Sequence, residues 1–210
     1  MPRIVDREDM QRTVLTGAMK AFTAKGYHAA TIADVAAAAG LGKGTLYLYF
    51  KNKEAIAEAM VASYFRTIED QFVTETLPLS LDEFVDRLSH SMDVTEDDAR
   101  FIRVFFEVFG PSFGSDGFAA GVAGFFDRLG AHYAAQLAHL QAIGAVRSDV
   151  NTDTAGRMLA ACVDGMRLHQ GLFSIPDARG IALRADAVGM MARGLAAPGG
   201  ACPRPAIHGL

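Results

Sequence analysis

Apolar residues recur at helical spacing along most of the chain, and no stretch alternates with the two-residue period of a strand. Leu15, Ala18, Met19 and Phe22 share one face of a first helix over about residues 7 to 25, which Gly26 stops. Ile32, Val35, Ala36 and Ala39 mark a second helix of about two turns, closed by Gly40, and a third follows Gly42-Lys43-Gly44. Asn52 caps a long fourth helix, carrying Ile56, Met60, Tyr64 and Ile68 and ending before Pro78. Ser80 opens a fifth, and Thr95 or a neighbour opens a sixth that stops at Gly110-Pro111. The last three are expected over about 116 to 142, 152 to 173 and 178 to 195, leaving a flexible Gly- and Pro-rich tail over 196–210. The pattern predicts an all-α protein of about nine helices.

The two short helices between Thr31 and Lys53 differ from the rest, because the second has a face with no reason to be buried. Thr31 can cap the free amides of the first, with Asp34 three residues on to complement its positive end. Gly40 supplies the left-handed turn, and Leu41 can plug between the pair as in a helix-turn-helix. At 100° per residue, Leu46 and Phe50 point inward, Gly44, Thr45 and Leu48 point outward, and Tyr47 and Tyr49 flank them. Lys43, Lys51 and Lys53 bracket that face, the last near a helix start whose amides also favour phosphate.

Charge changes the picture in the same direction. The net −4 hides a division: residues 1–53 hold eight Lys and Arg against four Asp and Glu, including all five lysines, while the other 157 hold twelve Arg against twenty acids. A basic module on an acidic body is the electrostatic footprint of a small nucleic-acid reader. Arg3 and Arg7 lie in an N-terminal arm over 1–8 that can follow a DNA backbone or minor groove.

The stretch AAAAGLGKGTLYLYFKNKEAI, extended back through AMKAFTAKGYHAATIADVA, resembles the signature of the TetR family of bacterial transcriptional regulators. The resemblance is specific over the first quarter of the chain and rests on length and helical layout beyond it. It implies a three-helix DNA-binding domain over 1–53, a linking helix over about 53–76 and a helical effector-binding and dimerisation domain over 77–195. By position it carries Lys43, Gly44, Thr45, Tyr47, Leu48, Tyr49 and Lys53 over as DNA contacts, with Thr31 on a phosphate. Gly42 stands where the family often has Ser, and Leu48 where a larger polar or aromatic side chain is frequent; an apolar side chain there can touch a thymine methyl.

Eight of the fourteen phenylalanines lie between 101 and 126, with Phe101, Phe105 and Phe109 on one face and Gly117, Gly121 and Gly124 on the next helix. Large beside small reads equally as tight core or cavity. The resemblance favours an apolar effector pocket, with Phe101, Phe105, Phe109, Phe125, Met158 and Cys162 as its candidate lining. Small residues along the last two helices, among them Ala161, Gly165, Ala185 and Gly189, allow close helix approach. The resemblance implies that these helices build a homodimer, which reads a pseudo-palindromic duplex.

Other chemistry finds little support. Cys162 and His169 are seven residues apart, about 10 Å along a helix, beyond the reach of a nucleophile and its base. His132 and His139 are likewise too far apart for helical chelation, so no metal, no cofactor and no enzyme activity is expected. Cys162 and Cys202 fit no disulfide framework, and no run approaches about eighteen apolar residues. A cytoplasmic protein away from membranes is expected. The function expected is that of a sequence-specific regulator, a repressor released by a small apolar effector, with an activator or ligand-independent DNA binder as the alternative and, ranked behind these, a small-molecule binding protein or enzyme.

Overall fold

The computed structural model describes residues 7–112, 114, 116–173 and 177–198. Its helices are α1 (Arg7–Lys25), α2 (Ile32–Ala39), α3 (Lys43–Tyr47), α4 (Lys53–Thr74), α5 (Leu81–Ser91), α6 (Glu96–Ser112), α7 (Asp116–Ala142), α8 (Thr152–Phe173) and α9 (Asp177–Leu195). Among the described residues there is no strand beyond one isolated bridge, Val146 to Ala196. The chain is all-α, as its periodicity predicts.

Chain contacts divide the protein into two compact units, 1–68 with 100–122, and 69–99 with 123–210. The divisions therefore fall inside α4, α6 and α7 rather than at residue 53 or at the Pro78 connection. A helix long enough to serve two cores carries no loop at the boundary for a sequence reading to find.

In the first unit α1 packs on α2. The buried face of α1 is Val14, Gly17, Ala18, Ala21 and Phe22, so the expected stripe is rotated toward Gly17 and Ala21, leaving Leu15 and Met19 half-buried. The cause is Gly17: a Cβ there would lie 2.6 Å from the Ala39 Cβ and 2.7 Å from its backbone nitrogen. The absent side chain is what lets α2 approach. Further along, Tyr64 of α4 stacks on Phe101 of α6 at 3.7 Å between ring centroids, and Phe65, Phe105, Phe109 and Phe118 continue the aromatic cluster. Helix α6 runs on past Gly110 and Pro111 to Ser112, beyond its expected stop. A proline's fixed φ of about −65° is helical, so it can close a last turn for the loss of one amide donor.

In the second unit, Ser80 caps α5 by accepting the Glu83 amide, and Thr95 and Asp98 form a reciprocal cap ahead of α6. Helices α7 and α8 cross at Gly130 and Gly156, where a Cβ on Gly156 would stand 2.5 Å from both the Gly130 oxygen and the Ala134 nitrogen. Arg167 donates to the Ser91 carbonyl at 3.0 Å and pairs with Asp98 at 2.9 Å, while Arg184 pairs with Asp93 at 3.0 Å. These two arginines tie α8 and α9 to the α5–α6 connection. The expected flexible tail is corrected at its start: Arg147 N–H donates to the Leu195 oxygen and Ala197 N–H to the Ala145 oxygen, because the turn after α7 offers backbone partners. The rest of that tail, from 199 on, lies outside the described residues.

Candidate nucleic-acid interface

Each helix of the reading pair is set by its ends. Thr31 accepts the Asp34 amide at 3.2 Å while Asp34 accepts the Thr31 amide at 2.9 Å, a complete capping box. Gly40 closes α2 at φ 68°, sending its N–H to Ala37 and passing the Leu41 N–H to Ala36. The turn reverses the chain within Gly40, Leu41 and Gly42. A longer or β-branched residue at Gly40 would be strained in that left-handed conformation.

Asp34 is also paired with Lys25 at the end of α1. The Lys25 ammonium, and after it the Thr31 amide and hydroxyl, hold the Asp34 carboxyl far below the usual carboxylate range. Because the folded state prefers the ionised form, its contribution is complete above the unfolded value of about 3.9 and is lost as pH falls through the lower folded value. Asp34→Asn should therefore lower the melting temperature at neutral pH and shrink the further loss seen between about pH 5 and about pH 3. Equal acid sensitivity in both proteins, followed by circular dichroism, would assign that loss to other carboxylates.

Helix α3 is short, continuing through tight backbone bonds from Tyr49 and Phe50 to the Leu46 oxygen. Leu46 (1% exposed) and Phe50 (8%) are its buried anchors, as the 100° rotation predicts. Leu48 is 75% exposed and Tyr47 51%, Lys43 and Gly44 are exposed, and Thr45 and Tyr49 are half-buried. A Cβ on Gly44 would meet nothing within 4 Å, so the face is open at that point. No acidic residue falls between Asp34 and Glu54, while Lys43, Lys51 and Lys53 do. The face can therefore accept a polyanion without desolvating a carboxylate.

Two of the expected contacts are placed differently from the rest. The Thr31 hydroxyl donates to Asp34 at 2.8 Å and is used by the cap. Lys53, in the first turn of α4, does not face outward: its ammonium donates to the Tyr27, Ala30 and His28 oxygens at 2.8, 3.0 and 3.2 Å and lies 4.5 Å from the Tyr27 ring centroid. Arg7 belongs to α1, and Arg3 lies outside the described residues.

Sequence reading overlooked three partners of this module. Glu107 of α6 accepts the Tyr27 amide, Lys25 steadies Asp34, and Gly17 sets the α1–α2 spacing. Only Gly17 left a signal, a glycine inside an otherwise helical pattern. Tyr27 itself is 3% exposed, its hydroxyl has no hydrogen-bond partner among the described residues, and burial, with Glu54 and Glu58 adding to it, pushes its phenol up to about 12.

The candidate effector residues are divided between the two units. Phe101, Phe105 and Phe109 belong to the aromatic cluster of the first unit, whereas Phe125, Met158 and Cys162 lie in the second. Phe125 is buried, Cys162 half-buried and Met158 exposed.

Comparison with known proteins bears on both halves of the chain. Residues 14–60 match the family model for bacterial regulatory proteins of the tetR family, and 82–193, more than half the chain, match the model for the C-terminal region of BetI-type transcriptional repressors. An uncharacterized HTH-type transcriptional regulator, YhgD of Bacillus subtilis, is 36% identical over 73 residues, which is 33% of this chain and 38% of that protein. The chain thus matches well under half of that relative's length. Among solved structures, a TetR transcription regulator from Haloarcula marismortui aligns with a TM-score of 0.76 at 16% identity, over 90% of this chain and 99% of its own. A transcriptional regulator from Saccharomonospora viridis, solved in complex with choline, aligns at 0.73 with 18% identity, over 90% and 98%. At such identities these two likenesses speak for the fold. No helix among the described residues is long and apolar enough to cross a membrane. With the helix-turn-helix geometry and both family models in agreement, the chain belongs to the TetR family of bacterial transcriptional regulators and is a DNA-binding protein.

Proposed function

We propose that the protein is a homodimeric repressor that holds operator DNA through α3 and releases it when a small apolar molecule binds the C-terminal domain. The observation that carries the DNA-reading part is the open, acid-free face of α3 between its two buried anchors. On it Gly44, Thr45 and Leu48 read base edges, while Lys43, Tyr47 and Tyr49 position the helix on the backbone. Thr31 joins them only by giving up its donation to Asp34. Dimerisation through α8 and α9 is supported by the large apolar side chains that the subunit leaves exposed there, Met158, Phe173, Leu183 and Met190. The Phe101, Phe105 and Phe109 stack supplies apolar surface for the effector, which acts by binding better to the conformation that misfits the operator.

A duplex selected by the protein from a random library supplies the DNA for the test. Specific binding should fall steeply with salt, and a flat log-log slope would sink the proposal. Replacing each thymine of the half-site in turn by uracil, which lacks only the methyl group, should cost wild type about fivefold to tenfold at one position and cost Leu48→Ala nothing there. If no thymine matters, Leu48 does not read a methyl. For the effector, a melting-temperature screen should find stabilisation and loss of DNA binding with an apolar compound; choline is the cationic arm, and a response to choline alone would replace the apolar class with a quaternary ammonium.

A further inference from the structure

We infer that the operator half-site is read through the C5-methyl groups of its thymines and not through bidentate hydrogen bonds to purines, so that the head responds to a major-groove methyl whichever pyrimidine carries it. This rests on α3 being the DNA-reading helix and concerns what such a face is able to read. The side chains that address a base edge by hydrogen bonds are arginine or lysine on guanine, asparagine or glutamine on adenine, and a carboxylate on cytosine. From Thr31 to Phe50 the chain has no Arg, Asn, Gln or Glu. Its one acid there, Asp34, is paired with Lys25 and accepts the Thr31 amide. Asn52, two residues past the buried Phe50, accepts the Ala55 amide as the cap of α4. Lys43 is the one cation of the stretch, a compact charge on a flexible stem that suits a phosphate.

What the pair exposes instead is apolar or bare. Leu48 is 75% exposed, and Ala33 and Ala37, one turn apart on α2, are exposed as well. A Cβ on Gly44 would meet nothing within 4 Å, so a base edge can come up to the backbone there. Thr45, the next residue, is half-buried and carries a methyl and a hydroxyl on one Cβ. In the major groove the C5-methyl marks a thymine, and burying one methyl changes affinity by about fourfold. The same methyl stands at the same place on 5-methylcytosine. With no Asn or Gln, the face has no amide to test whether the purine opposite is adenine or guanine. The arm with Arg3 and Arg7 does not alter this, because the minor groove it suits presents no pyrimidine methyl.

The experiment uses the full-length protein and the duplex it selects from a random library, with three kinds of altered base. Uracil for thymine removes the methyl; 5-methylcytosine, with guanine opposite, restores the methyl on a different pair; 7-deazapurines remove the N7 acceptor of adenine and guanine. Uracil at every half-site thymine should lower specific affinity by about twentyfold or more. At the most sensitive of these positions 5-methylcytosine should return it to within about threefold of the parent where plain cytosine does not, and 7-deazapurines throughout should cost less than about threefold. A larger loss with 7-deazapurines than with uracil overturns the inference, and so does 5-methylcytosine binding no better than cytosine. Thr45 gives a check from the protein side: Thr45→Val keeps the methyl without the hydroxyl, and Thr45→Ser the reverse. The valine variant should keep the wild-type response to uracil and the serine variant should lose it at one thymine; the opposite order assigns the hydroxyl to the base and overturns the inference. Should either variant fail to fold, the altered duplexes decide, since they need only the unaltered protein. Equal binding to the selected and a random duplex would overturn the reading of α3 itself, and shows before any base is altered.

Discussion

Gly17→Ala is expected to cost the reading head most of its stability, although helix propensity alone predicts the reverse. In an exposed helix the change to alanine gains about 1 kcal/mol. Here the new Cβ would lie 2.6 to 2.8 Å from three atoms of Ala39, two of them backbone, where ordinary contact is about 3.5 to 4 Å. Backbone does not turn aside as a side chain does, so α2 must move by roughly 1 Å and drag the capping box and Gly40 turn with it. Overpacking of this kind costs about 1–3 kcal/mol, a net loss that should lower the melting temperature by about 5 °C or more. DNA binding should weaken by more than the unfolded fraction explains, because the α2–α3 pair is displaced even in molecules that fold. A melting temperature equal to or above wild type would show that α1 and α2 are not this close.

The second large effect is expected at the α7–α8 crossing. Gly156→Ala puts a Cβ 2.5 Å from the Gly130 oxygen and the Ala134 nitrogen, with Arg157 already packed against Gly130 from the same side. No rotamer change relieves a contact between backbones. The cost should be about 3 kcal/mol, at the upper end for overpacking, and should appear as a lower melting temperature and a smaller yield of folded protein. Gly121→Ala is the control, since a Cβ there meets nothing within 4 Å and the helix should gain about 0.5–1 kcal/mol. If both substitutions stabilise the protein, the crossing is wider than the structure has it.

The two glycines also mark where the sequence stops being readable. Helix ends were legible because their causes are local: Thr31 with Asp34, the left-handed Gly40, Ser80 ahead of α5, and Asn52 accepting the Ala55 amide ahead of α4. The inward pair Leu46 and Phe50 was legible from rotation alone. What failed was anything set by a partner distant in sequence. The face of α1 turned toward Gly17 because Ala39 lies there, and Lys53 turned inward because three carbonyls 23 to 26 residues earlier converge on it. Motif position gave Lys53 a phosphate; only the chain reversal at Gly26 supplies the acceptors that hold it in the absence of DNA. Glu107 is further still, 80 residues from the amide it accepts. Likewise the six candidate effector residues share an apolar character that sequence can see, but not a common unit.

The distribution of tyrosines gives the protein an optical property of its own. It has no tryptophan, so its intrinsic emission is that of five phenols: Tyr27, Tyr47, Tyr49, Tyr64 and Tyr133. Four of them belong to the first unit, and two sit on or beside the reading face. A DNA backbone docked on Tyr47 and Tyr49 would change the surroundings of those two phenols and so their emission, while the enclosed Tyr27 would keep its share. The unlabelled protein therefore carries its own reporter of DNA docking.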